Sequence, residues 1–148
     1  CYCVFHNALN YFIVCIPLVI GLSSNISVGV TEFRLPSGDS LDVSFNSKAV
    51  WLAAEVKSSI SAESDIVRGL FQCVKYRAVM EAVLLAEARP QIARAILVME
   101  STFPQSLIPL RNLLGVEVID GIAPPRIDLE IDTVRPTQVQ QVELVSTV

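Results

Sequence analysis

Five polar side chains on an otherwise apolar scaffold could do chemistry together: Asp42, Glu55, Lys57, Gln72 and Tyr76. Asp42 sits in a short apolar stretch, Glu55-Val56-Lys57 closes the next one, and Gln72 and Tyr76 follow four residues apart. Two carboxylates close together repel each other unless a cation lies between them. Mg2+ suits such a pair, because it takes oxygen ligands and keeps waters that can serve as nucleophiles. A neighbouring lysine can orient or deprotonate the attacking water, or stabilise the negative charge that develops on phosphate. The combination points to metal-assisted hydrolysis of a phosphodiester.

Periodicity supplies the elements that would position these groups. Residues 28–35 alternate as a strand, and Pro36-Ser37-Gly38-Asp39 is a strong turn signal. Leu41, Val43 and Phe45 are expected on one face of a second strand, leaving Asp42 and Ser44 on the other. After a second turn at Asn46-Ser47-Lys48, residues 49–57 form a third strand with Trp51, Ala53, Glu55 and Lys57 on one face. Ser61 is expected to cap a helix with Glu63 and Asp65 in its first turn, ending near Ala88 before Pro90. Its apolar stripe reads Val67, Leu70, Phe71, Val74, Ala78, Ala82 and Leu85. Arg68, Gln72 and Tyr76 recur every four residues and align on another face. Residues 93–99 read as a strand buried on both faces, 104–114 as a helix ended by Gly115, and 116–119 as a fifth strand. This order predicts an α/β fold, a mixed central β-sheet flanked by helices.

The series Asp42, then Glu55-Val56-Lys57, then Gln72-Cys73-Val74-Lys75-Tyr76 resembles the PD-(D/E)XK nuclease superfamily, in particular its RecB-like branch with a Gln-x-x-x-Tyr motif. The resemblance covers roughly residues 28–120 and implies a restriction-endonuclease-like core. It makes Asp42 and Glu55 metal ligands together with the Val56 backbone carbonyl, Lys57 the catalytic lysine, and Gln72 and Tyr76 an accessory pair. The implied cofactor is Mg2+, with Mn2+ as a substitute, and the implied partner is DNA, with RNA as the alternative. Arg68 and Lys75, with Arg77 close by, are the candidate nucleic-acid contacts. The chain departs from the pattern in two places. Leu41 stands where a proline often precedes the acid, and no Asp or Glu precedes Glu32, although many members carry a Glu on a helix before the first strand. Glu32 falls within the first strand and is not expected to replace that acid.

Composition bounds these expectations. At 148 residues the chain has room for one domain with a real core. Apolar residues make up 52% and charged residues 18%, more apolar than the usual balance, and residues 1–31 contain no Asp, Glu, Lys or Arg. The net charge of −4 argues against a broad polyanion-binding surface but leaves room for a local site. Cys1, Cys3, Cys15 and Cys73 form neither a zinc spacing nor a disulfide framework, so reduced thiols in the cytoplasm are expected. His6 is incidental, Cys73 belongs to a core, and Asp39 is a weaker ligand candidate than Asp42 because it lies in the turn.

Three segments follow: an apolar leader at 1–27, the nuclease-like core at 28–122, and a tail at 123–148 that is either an edge strand or irregular. The chain begins at Cys1 rather than Met, so an upstream segment is expected. The leader reads as a core element of a truncated domain, as a membrane anchor or signal remnant, or as a non-native segment; membrane association is the less favoured reading. Asn25-Ile26-Ser27 fits a glycosylation acceptor, a triplet too common to weigh. Each motif also has a plain alternative. A Glu-x-Lys on an edge strand is usually a solvated pair, and a Gln and Tyr four apart are usually a helix surface pair. The functional alternatives are a degenerate nuclease fold acting as a nucleic-acid-binding or protein-interaction module, and a small membrane-anchored protein. Oligomeric state, strand preference and endo- or exonucleolytic action are not written in the sequence.

Overall fold

Turn chemistry folds the first half of the chain into an antiparallel meander. The structure, a computed structural model, describes residues 2–15, 20 and 29–124. Strands β1 (Val30–Arg34) and β2 (Ser40–Asn46) are joined by the Pro36–Asp39 turn, in which Gly38 N–H donates to the Leu35 carbonyl (2.9 Å) and Leu35 N–H donates to that of Asp39 (2.8 Å). Strand β3 (Val50–Lys57) pairs antiparallel with β2. Helix α2 (Glu63–Ala86) then crosses over to β4 (Ile92–Met99), which pairs parallel with β3 over its whole length. A parallel neighbour needs such a crossover. A 3-10 turn (Gln105–Leu107) and helix α3 (Ile108–Leu114) lead to β5 (Glu117–Ile119), parallel to β4. The sheet order is β1-β2-β3-β4-β5, which puts β3 in the centre. The fold is α/β, with a five-stranded mixed sheet flanked by helices.

Helix α1 (Tyr2–Cys15) covers one face of the sheet. Its Leu9 and Ile13, with Ile20, pack against Val43, Phe45, Leu52 and Val56. Leu9, Ile13 and Ile20 of the leader thus lie within a core cluster. No helix among the described residues is long and apolar enough to cross a membrane. The opposite face is covered by α2 and α3. Met80 and Leu84 pack on Trp51 and Ala53. Ile66, Leu70 and Cys73 pack with Leu97, Met99 and Leu107. Gly115 ends α3 in the left-handed conformation (φ 61°), a conformation that suits glycine.

Four details differ from the sequence-based expectations. The buried face of α2 is Ile66, Gly69, Leu70, Cys73, Tyr76, Met80 and Leu84, so Phe71 and Leu85 of the expected stripe are 52% and 85% exposed. The helix is rotated because Tyr76 buries its ring and still finds a polar partner for its hydroxyl. The residue preceding α2 is Ala62, without a side-chain cap. A turn closed by Ser61 N–H to the Ser58 carbonyl (3.0 Å) brings Ser61 in one position too early, and its buried Oγ has no partner among the described residues. The first half of β4 is exposed at Ile92 and Arg94, on the face where Ile96 and Val98 further along share a core cluster with Leu9 and Ile13 of α1. Lastly, Leu41 does not share a face with Val43 and Phe45: it joins Trp51, Tyr76 and Met80 beneath α2. Glu32 and Asp42 are the one facing pair missing from the β1–β2 register, and Glu32 adopts a positive φ of 53°. That irregularity interrupts the alternation, so the turn end of the hairpin leans onto α2. The acceptor triplet at Asn25, Val28, Cys1 and the tail from 125 onward lie outside the described residues, as do the side chains of Cys3 and His6.

Candidate active site

The α2-facing row of β3 is Trp51, Ala53, Glu55, Lys57, so the helix–sheet interface is apolar at one end and ionic at the other. At the ionic end Lys57 Nζ lies 2.7 Å from Glu55 Oε1. Glu55 is 3% and Lys57 8% exposed. The solvated-pair reading fails here, because β3 is the central strand and both groups are buried. Removing two charges from water costs several kcal/mol per ion, and their attraction seldom returns more than apolar packing would. Such a pair is therefore a poor device for stability and a good candidate for function. It occupies the carboxyl-terminal end of β3, beside parallel β4, the end of α/β strands where ligands bind.

Asp42 reaches the same end from β2. The β2–β3 register runs from Asn46↔Trp51 to Val43↔Ala54, and beyond it Asp42 Oδ2 accepts the Val56 N–H at 2.8 Å. A strand irregularity thus turns a ladder residue into a side-chain acceptor, a common use of such kinks next to active sites. An extended residue points its N–H and C=O toward the same neighbouring strand, so the Val56 carbonyl faces the Asp42 side too.

Gln72 and Tyr76 enter from α2. Gln72 Nε2 donates to Tyr76 Oη (3.1 Å), and Tyr76 Oη donates to the Ser40 carbonyl (3.3 Å). Tyr76 is buried, so the pair is not a helix surface pair. Burial pushes the Tyr76 phenol upward, and the Glu55 and Asp42 carboxylates push it further; the Gln72 hydrogen bond pulls the other way. Burial and the Glu55 carboxylate likewise raise the Cys73 thiol. Both groups stay protonated at neutral pH, and both register the negative charge of Glu55 and Asp42. Cys73 is a core residue, as expected. Gln72 Oε1 is buried and has no hydrogen-bond partner among the described residues, an acceptor pointing nowhere yet useful to an ordered water.

The remaining candidates stand outside this cluster. Arg68 pairs with Asp65 at 2.7 Å and is largely exposed, so it does not line up with the buried Tyr76. Lys75 pairs with Asp39 at 2.7 Å, which ties the hairpin turn to α2 and takes Asp39 out of the ligand set. Arg77 reaches the Gly115 carbonyl.

Gly69 is the position beside this cluster that motif reasoning missed. A Cβ built there would lie 2.9 Å from Lys57 Cε, 3.0 Å from Leu97 Cδ1 and 3.6 Å from Glu55 Cγ. The bare backbone of α2 is what lets the Glu55 and Lys57 stems lie under the helix. The signal was present: a lone glycine inside a long helix weakens it by about 1 kcal/mol relative to alanine, which calls for a packing reason.

No protein-family model, curated protein or solved structure matches this chain. Among the described residues there is no group of three or more His, Cys, Asp or Glu able to hold a metal. The donor set is smaller, two carboxylates and a carbonyl. That still fits Mg2+, which is commonly held by one or two carboxylates and completes its shell with water and substrate phosphate.

Proposed function

We propose that this chain is a metal-dependent nuclease of the PD-(D/E)XK type that hydrolyses DNA phosphodiester bonds. The observation that carries the proposal is the buried Glu55–Lys57 pair at the end of the central strand, with Asp42 bonded to the peptide between them. Asp42, Glu55 and the Val56 carbonyl would hold Mg2+, or Mn2+ in its place, and the ion when bound supplies Lewis-acid polarisation of the phosphate and a more acidic water. In the reaction a water oxygen forms a bond to phosphorus, one phosphorus–oxygen ester bond breaks, and a proton ends on the departing sugar oxygen. Lys57 Nζ has two further hydrogens beyond the one given to Glu55, and offers them where negative charge develops on phosphate. Gln72 Oε1 accepts from a water near the reacting phosphate. Tyr76 anchors α2 to the Ser40 carbonyl and so sets the height of Gln72 over the site. Arg68, largely exposed, meets the phosphate backbone further out, whereas Lys75, the other candidate contact, is engaged by Asp39. The thiols of Cys15 and Cys73 are free, which supports a reducing, cytoplasmic compartment.

A second reading has one observation in its favour: no residue of α1 is acidic, so α1 does not supply the upstream carboxylate that many such nucleases carry. In that reading the fold is a catalytically degenerate module that binds nucleic acid or protein. One experiment separates the two. Single- and double-stranded DNA are incubated with the protein and Mg2+ or Mn2+, beside Glu55→Ala and Lys57→Ala. The nuclease reading expects cleavage by the unsubstituted protein and a fall of about a hundredfold or more in each variant. Cleavage unchanged in both variants sinks the assigned site. Binding without cleavage in any of the three supports the second reading.

A further inference from the structure

The rotation of α2 that buries Tyr76 leaves an apolar ridge on the helix face directed away from the sheet. Phe71, Ala78 and Leu85 recur every seven residues, with Val74, Lys75, Glu81 and Ala82 between them. All but the half-buried Val74 are exposed. The ridge has a symmetry of its own. Phe71 and Leu85 stand seven residues on either side of Ala78, Val74 and Ala82 four residues, and Lys75 and Glu81 three.

We infer that this face joins two copies of the chain, with their α2 helices packed antiparallel about a two-fold axis at Ala78. In that arrangement Phe71 of each copy meets Leu85 of the other, and Val74 meets Ala82. Lys75 of each copy meets Glu81 of the other, so the charge pattern is complementary to itself, as a two-fold interface requires. Glu81 has no partner among the described residues, and Lys75 can give a second hydrogen while it keeps Asp39. Alanine at the axis and at position 82 lets the helices approach closely along a seven-residue repeat. Beside the ridge, Pro36 and Ser37 of the hairpin turn and Val79, Ala82, Val83 and Ala86 of α2, together with Glu87, line a largely apolar groove of about 480 Å³. The two-fold brings the Phe71 ring of the second copy over Leu85 and next to Ala82 and Ala86, at the mouth of that groove. Helix, groove and charges therefore select a second copy of this chain. The sheet-facing side of α2, with Gln72 and Tyr76, is left out of the contact.

Sedimentation equilibrium across the micromolar range tests the inference. The expected mass is twice the 16.2 kDa of one chain at the upper concentrations. Ala78→Glu sets two carboxylates against each other on the axis and should leave monomers where the unsubstituted chain is dimeric. Glu81→Lys should weaken association by about tenfold. Lys75→Glu combined with Glu81→Lys should recover most of that loss, which a merely unfolded variant would not do; circular dichroism verifies that each variant is folded. A chain that stays monomeric throughout overturns the inference and leaves the face to a different protein or to another segment of this chain. A double swap no better than Glu81→Lys alone overturns it as well.

Discussion

Gly69 puts two physical tendencies in opposition. On an exposed helix face, replacing glycine by alanine stabilises by about 1 kcal/mol. Here the added methyl would press on Lys57 Cε and Leu97 Cδ1, and overpacking of that kind costs about 1–3 kcal/mol. Leu97 is fully buried and cannot retreat, so the steric term wins. Gly69→Ala is expected to lower the melting temperature. Under the proposed nuclease function, the variant should also retain less cleavage activity than its loss of stability explains, because Lys57 is the side chain that must move. Thermal unfolding and a cleavage assay at a temperature where the variant is fully folded check both parts; a higher melting temperature would refute the packing role.

At the scale of elements, the hairpin and α2 are held in register by two contacts at neighbouring positions: Lys75 with Asp39, and Tyr76 with the Ser40 carbonyl. The first is an ion pair. Hydrogen bonds from Lys75 and from Ser37 hold the Asp39 carboxyl below its ordinary value of 3.8. A carboxyl held low contributes to the folded state above its unfolded value, and that contribution is lost as pH falls through the lower, folded one. The tether is therefore intact at neutral pH and releases only in acid. Lys75→Met should let the Asp39 carboxyl rise toward its ordinary value, read by carboxyl-carbon NMR titration. An unchanged titration would mean that Ser37 alone sets it.

Much of this level was legible in the sequence. The strands, the crossover helix and the glycine stop after α3 followed from period, turn residues and chain order. So did the common face of Glu55 and Lys57, because β3 keeps a strict alternation. What could not be read was the break at Glu32 and Asp42, since a positive φ at a non-glycine residue leaves no compositional mark. The same holds for α2: its most apolar stripe was the natural choice for the core, but the buried face includes a glycine and a tyrosine, chosen by contacts from distant strands. Arg68 was drawn toward Gln72 by spacing alone, and its nearer neighbour Asp65 claimed it.

At the scale of the whole molecule, helices cover both faces of the sheet, while β1 and β5 are its edges among the described residues. An edge strand offers a row of backbone donors and acceptors to any passing chain, and a flat one invites stacking of sheet upon sheet end to end. β5 is only three residues long. β1 is longer, and its outward residues include the exposed Val30. The left-handed residue at Glu32 that swings Asp42 out of the ladder sits in the middle of that edge. It presents a bend and a charge where a template would need straight, neutral backbone. Glu32→Val, which favours extended backbone, should make the protein scatter light and leave solution sooner, while Glu32→Gly keeps the bend and should stay dispersed. If both precipitate alike, the charge alone protects the edge. If only the valine variant does, the kink that shapes the candidate site also keeps copies of the chain from polymerising through their sheets.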